Sequence, residues 1–139
     1  MSLDGSEARV LIVGEPDIVV ARQKARAAAK AMGFGMVDQS RIATAVSELA
    51  RNVVRYATNG RGEVIVRAIQ DPKHGRGIEV VVRDQGPGIA NVEDALRDGF
   101  TTGTGLGMGL PGARRLMDEL IVDSALGRGT VVTTHKWRR

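Results

Sequence analysis

Glu48 and Asn52 stand four residues apart in the run SELARN. In a helix, residues i and i+4 lie one above the other on a single face. A carboxylate and an amide carbonyl so placed can serve Mg²⁺, which takes oxygen ligands and keeps several waters. The carboxylate can instead act as a general base. The plain alternative is a solvated helix flank, with Arg51 or Arg55 simply pairing with Glu48.

A second group follows the apolar run GIEVVV. In DQGPGI, Asp84 ends an expected strand, and Gly86 and Gly88 flank Pro87. A carboxylate accepts hydrogen bonds from an exocyclic amine such as that of adenine. Glycines let the backbone approach a flat base without a Cβ in the way. A Pro-Gly turn after an ordinary strand end is the other reading.

The third group is GTGLGMGL, in which Gly103, Gly105, Gly107 and Gly109 alternate with other residues and lead into a helix. Bare N–H groups at a helix start bind anions, because the unpaired donors and the dipole point the same way. Phosphate is the obvious ligand. The segment lacks the Lys-Ser/Thr ending of a P-loop and does not follow a first strand, so a flexible hinge competes with it.

These groups need a scaffold, and the pattern supplies one. RVLIVG (9–14) reads as a strand. Pro16 and Asp17 mark a helix start, Ile18, Ala21, Ala25, Ala28 and Met32 recur at helical spacing, and Gly33 ends the run. A second helix begins near Asp38 with the stripe Ile42, Val46, Leu49 and Val53. Glu48 and Asn52 lie about 110° from the centre of that stripe, at the edge of the packed face. Strands near 63–70 and 77–83 flank the turn-rich DPKHGRG, with apolar residues on both faces as in a covered sheet. Beyond them come an irregular segment with a short helix around 92–98 and a third helix from Gly109 to Met117. LIVDS and TVVTTHKW then form two strands joined through LGRG. About three helices and five strands, paired as hairpins, predict an α+β two-layer sandwich with helices on one face of a mixed sheet.

The bulk numbers agree with one folded domain. The chain has 139 residues, 42% of them hydrophobic, and no cysteine, which excludes disulfides and thiolate metal sites. No apolar run approaches the roughly 20 residues of a membrane span. MSLDGSEARV has no basic segment followed by an apolar one, so a cytoplasmic protein is expected, with residues 1–8 flexible. The net charge is +4, but the basic residues are interleaved with 16 acids and there are only four aromatics. Neither a basic patch nor a stacking platform for nucleic acid results.

Taken together, SELARN, DQGPGI, GTGLGMGL and GRGT resemble, in order, the four boxes of the GHKL ATPase superfamily of gyrase, Hsp90, histidine kinases and MutL. More narrowly, DIVVARQKAR, GFGMVDQSRIATAVSELARN, DGFTTGTGLGMGLPGARRLMDEL and the terminal KW-R resemble the stressosome switch kinases. These are small serine/threonine kinases related to the anti-sigma-factor kinases. The resemblance covers nearly the whole chain from residue 9.

It implies a Bergerat-type sandwich that binds Mg-ATP. By resemblance, Glu48 is the general base, Asn52 the Mg²⁺ ligand, and Asp84 the acid that bonds the adenine amine. Gly86, Gly88 and Ile89 lie near the base. Thr104, Gly105, Leu106, Gly107, Met108, Gly109 and Leu110 form the phosphate loop, residues 91–104 the lid, and Thr130 a hydroxyl that helps hold adenine. Substrates would be Ser or Thr on STAS-domain proteins in a large cytoplasmic complex. The freed kinase would bind and activate a PP2C-type phosphatase.

Between Phe100 and Gly109 there is no Lys or Arg, so either Arg51, Arg97 or Arg114 serves as the cation at the γ-phosphate or the transfer is slow. Three other readings compete. A histidine kinase would need a phosphoacceptor His in a dimerisation helix, and the chain has only His74, in a turn, and His135, near its end. An anti-sigma-factor kinase would bind a sigma factor as well. In a pure binding module, ATP would only stabilise a docking surface.

Overall fold

Asp17 begins the first helix from inside it. Its carboxylate accepts the backbone N–H groups of Val13 (2.8 Å) and Gly14 (3.2 Å), the reciprocal arm of a capping box, and Pro16 sits in the first turn. The computed structural model describes residues 2–57, 61–86, 96, 110–125 and 127–138, with side chains from residue 7 onward. Chain order is β1 (Ser2–Ile12), α1 (Glu15–Ala31), α2 (Met36–Tyr56), β2 (Gly62–Asp71), β3 (Gly75–Asp84), α3 (Leu110–Leu116), β4 (Glu119–Ala125) and β5 (Gly129–Trp137).

The five strands form one sheet in the order β1-β2-β3-β5-β4, and all four pairings are antiparallel. β1 begins at Ser2, ahead of the expected Arg9 and within the segment expected to be flexible. Its register slips between Ser2 and Glu7, and Ser2 pairs with Ile69. α2 begins at Met36, two residues before the expected Asp38, directly after Gly35 at its cap. The helix expected around 92–98 lies outside the described residues except for Leu96, which packs against the core.

Even-numbered residues of β1, β2, β3 and β5 face the helices. Val10, Ile12, Val64, Val66, Ile78, Val80, Val82 and Val132 meet Ile18, Ala21, Ala25 and Ala29 of α1 and Ile42, Val46, Leu49 and Val53 of α2. The alanine stripe brings α1 close, and Ala29 takes the fully buried position that the spacing gave to Ala28. On the opposite face, Ile65 and Ile69 are buried with no helix above them among the described residues. Cross-strand ion pairs stand beside them instead: Arg9 with Glu63 (3.3 Å), and Arg67 and His135 with Glu79 (2.6 and 2.9 Å). No helix among the described residues is long and apolar enough to cross a membrane.

Candidate functional site

α2 carries Glu48 and Asn52 on its flank, as the helical offset requires, and both side chains are half-buried. Of the two arginines able to reach the acid, Arg51 pairs with it: its Nη1 lies 2.7 Å from Glu48 Oε1. Oε1 is therefore held by the guanidinium. Asn52 offers one amide oxygen a turn further along, a donor suited to Mg²⁺ held mainly by phosphate oxygens and water. No group of three or more His, Cys, Asp or Glu able to hold a metal occurs among the described residues.

Asp84 is the last residue of β3, and its register neighbours are Gly62 on β2 and Thr130 on β5. Its Oδ1 accepts the Gly86 N–H at 2.7 Å, and the Thr130 N–H faces the carboxylate from β5 and favours its charged form. Burial pushes the Asp84 carboxyl above its ordinary value, and these two N–H groups only partly oppose the rise. A half-buried carboxylate with acceptor capacity left over fits the exocyclic amine of adenine.

The turn after Asp84 closes on the end of α2. A Cβ on Gly86 would stand 2.8 Å from Ala57 Cα, 2.9 Å from Asp84 Oδ1 and 3.2 Å from Tyr56 O. Gly86 is thus small because the turn abuts the helix that carries Glu48 and Asn52, whereas its spacing suggested room for a flat base. This contact sets the Asp84 turn against the end of the helix that carries Glu48 and Asn52.

Thr130 contributes more than its own hydroxyl. Ser124, its register neighbour on β4, donates to Gly129 O at 2.8 Å and lies 2.8 Å from Thr130 Oγ1. Ser124 was not legible as a site residue. Its only signal is its place opposite Thr130 across the GRGT turn. Leu110, expected among the nucleotide contacts, has its side chain in the core, where it begins α3 against α2. Gly88, Ile89, Thr104, Gly105, Leu106, Gly107, Met108, Gly109 and the lid 91–104 lie outside the described residues.

A cavity of about 670 Å³ opens at the same end of the sheet, lined by Leu11, Arg61, Gly62, Glu63, Arg83, Asp84, Gln85 and Val131. Neither Glu48 nor Asn52 lines it, so it lies behind Asp84 and not between Asp84 and the candidate base.

Residues 15–136 match the histidine kinase-like ATPase domain family. The chain is 48% identical over 130 residues to the serine/threonine-protein kinase RsbT of Bacillus subtilis, covering 94% of this chain and 96% of that protein. It is 40% identical over 101 residues to the anti-sigma F factor of Caldanaerobacter subterraneus subsp. tengcongensis, covering 69% and 68%. Among solved structures, the histidine kinase domain of the Erythrobacter litoralis EL346 blue-light activated histidine kinase superposes with a TM-score of 0.52 at 22% identity. That match covers 86% of this chain and 63% of the other, and it speaks for the fold alone. Matched by the family from residue 15 to 136 and by RsbT along nearly its whole length, the chain belongs to the histidine kinase-like ATPase domain family, the GHKL fold whose boxes its sequence resembles.

Proposed function

We propose that this chain, an ATP-dependent serine/threonine kinase, phosphorylates Ser or Thr on STAS-domain proteins of a stress-signalling complex. When released from that complex it binds and activates a PP2C-type phosphatase. The carrying observation is the closure of the Asp84 turn on the end of α2, one turn beyond Asn52 and two beyond Glu48. That contact supports a reading in which Asp84 and the flank of α2 serve one nucleotide.

ATP supplies the phosphoryl group and Mg²⁺ neutralises its oxygens when they are bound. Asp84 accepts the adenine amine and fixes the orientation of the ring. With ATP and Mg²⁺ bound, Asn52 would hold the metal, and Glu48 Oε2 would take the proton of the substrate hydroxyl as its oxygen bonds the γ-phosphorus and the bond from that phosphorus to the β-phosphate oxygen breaks, releasing ADP. Arg51, already on Glu48, is the candidate cation seen beside the base among the described residues, and Arg97 lies outside them.

An anti-sigma-factor kinase is the second reading, and the likeness to the anti-sigma F factors favours it. That likeness covers 69% of the chain, against 94% for RsbT. The deciding experiment is incubation with labelled ATP, Mg²⁺ and purified STAS-domain proteins, followed by phosphoamino-acid analysis. Label on Ser or Thr with the wild-type protein, and none with Glu48→Gln at unchanged ATP affinity, is the expected result. Full labelling by Glu48→Gln would remove the base assignment. Co-purification with a sigma factor would favour the second reading.

A further inference from the structure

Val37, Ser40, Arg41, Thr44 and Glu48 fall at helical spacing along α2, so one stripe of that helix runs from the candidate base to its first turn. The stripe stays open to solvent. Met36 and Val37 are 75% and 64% exposed, the largest values among the apolar residues of α2. With Leu116, the last residue of α3, they line a groove of about 440 Å³ together with Ser40, Arg41 and Thr44. We propose that this groove docks the protein substrate, holding an apolar side chain and a neighbouring carboxylate while the acceptor hydroxyl meets Glu48. The inference rests on the kinase reading above and extends it to substrate recognition.

The walls of the groove are fixed from beneath. Lys136 is buried under them. Its Nζ donates to Leu116 O at 2.9 Å and lies 3.6 Å from Asp118 Oδ1 and 3.9 Å from Asp38 Oδ1. One cation thereby ties the end of α3 to the first turns of α2. A surface held in this way binds without first having to be ordered.

The rim selects charge. Arg41 is half-exposed beside the groove with its Nη1 3.1 Å from Asp38 Oδ1, and Arg26 reaches from α1 to Ser40 Oγ at 3.3 Å. The three helices together carry nine Lys or Arg against four Asp or Glu, a net +5 on a chain whose total is +4. The helix layer thus holds more than the whole net charge, and the occupant that complements it is acidic as well as apolar. The geometry also sets a ruler. Thr44 and Val37 precede Glu48 by four and eleven residues, about 6 and 16 Å along the helix axis. The docked apolar residue therefore sits about 16 Å from the acceptor hydroxyl, within one short segment of the substrate.

The test uses the full chain with Val37→Asp and Arg41→Glu, and as probe a set of purified STAS-domain proteins. Both positions are exposed, and Met36→Ser with Val37→Ser is the milder pair should the aspartate disturb the helix start. Each variant is expected to lower kcat/KM for the protein substrate about tenfold or more, through KM, with ATP affinity and Tm unchanged. Added salt should raise KM for the wild type and much less for Arg41→Glu. Unchanged KM in both variants, beside a normally active wild type, overturns the groove and leaves the kinase reading intact. Absence of labelling by the wild type overturns both. Should the wild type self-associate and Val37→Asp become monomeric with normal substrate KM, the face belongs to a second copy and the proposal fails.

Discussion

Arg51 Nη1 stands 2.7 Å from Glu48 Oε1, so the residue assigned to take a proton is already held by a guanidinium on the same helix. As a stabilising contact the pair is minor. An i,i+3 pair with both side chains about one-third exposed is worth about 0.3–0.5 kcal/mol. Its consequence is orientation, because one carboxylate oxygen is fixed by the guanidinium. Arg51→Ala should therefore lower kcat on the protein substrate about tenfold while KM for ATP changes little. Arg51→Lys should recover part of the loss, since an ammonium can still donate to Oε1. In a Glu48→Gln background the Arg51 change should cost nothing further. Equal losses in both backgrounds would mean that Arg51 acts elsewhere.

Asp84 should separate binding from stability. Its carboxyl is raised by burial, with the Gly86 and Thr130 N–H groups opposing. A raised acid favours the fold fully below its ordinary value of 3.8, and that advantage is lost as pH climbs through the raised value. At neutral pH the buried charge therefore weighs against the nucleotide-free fold. Asp84→Asn keeps an oxygen for the Gly86 N–H and removes the charge. The variant should melt at or above the wild-type temperature at pH 7, yet bind ATP about tenfold or more weakly. Calorimetry and a melt on one sample decide it. A lower Tm with unchanged ATP affinity would remove Asp84 from the site.

Gly129 offers a contrast with its neighbour Gly127. Both are left-handed, at φ +81° and +82°. A Cβ on Gly127 meets nothing within 4 Å, whereas one on Gly129 would stand 2.3 Å from Asp84 O and 2.9 Å from Gln85 Cα. Those are backbone atoms and cannot rotate away. Gly127→Ala should cost only about 1 kcal/mol of left-handed strain. Gly129→Ala should cost about 2 kcal/mol or more and also weaken ATP binding, because the strand end that carries Asp84 must shift. Equal Tm values for the two variants would contradict this.

How legible the site was depended on the kind of constraint. Glu48 and Asn52 could be placed at the edge of α2 because a helix fixes angular position by counting. The ends of β3 and β5 could be placed because β-branched runs break at Asp84 and Gly129. The start of β1 could not, since Ser2 to Ser6 reads as turn and loop and owes its strand to pairing with β2. The reason for Gly86 was also hidden. It lies in a contact with Ala57 and Tyr56 that no local pattern encodes. Lys136 could be placed in the last strand, but not its burial, which comes with a tertiary contact to Leu116, 20 residues away. The glycine segment from 103 to 109, which by itself fits a hinge as well as a phosphate loop, lies outside the described residues.

Glu79 tests the uncovered face of the sheet independently of the nucleotide. Burial alone would raise its carboxyl, but Arg67 Nε at 2.6 Å and His135 Nε2 at 2.9 Å outweigh burial and lower it. A lowered acid stabilises the fold above its ordinary value of 4.5, and that contribution disappears as pH falls through the lower folded value. Glu79→Gln keeps the shape and removes the charge from between its two partners. It should destabilise the protein by about 1–3 kcal/mol at neutral pH, the range for a hydrogen-bonded charge. Below pH 4.5 its stability should fall less steeply than that of the wild type, so the two curves converge on acidification. ATP affinity should not change, because Glu79 pairs with His135, five residues along β5 from Thr130. Parallel curves down to low pH would mean that the ion pairs on this face leave the charge of Glu79 without influence on folding.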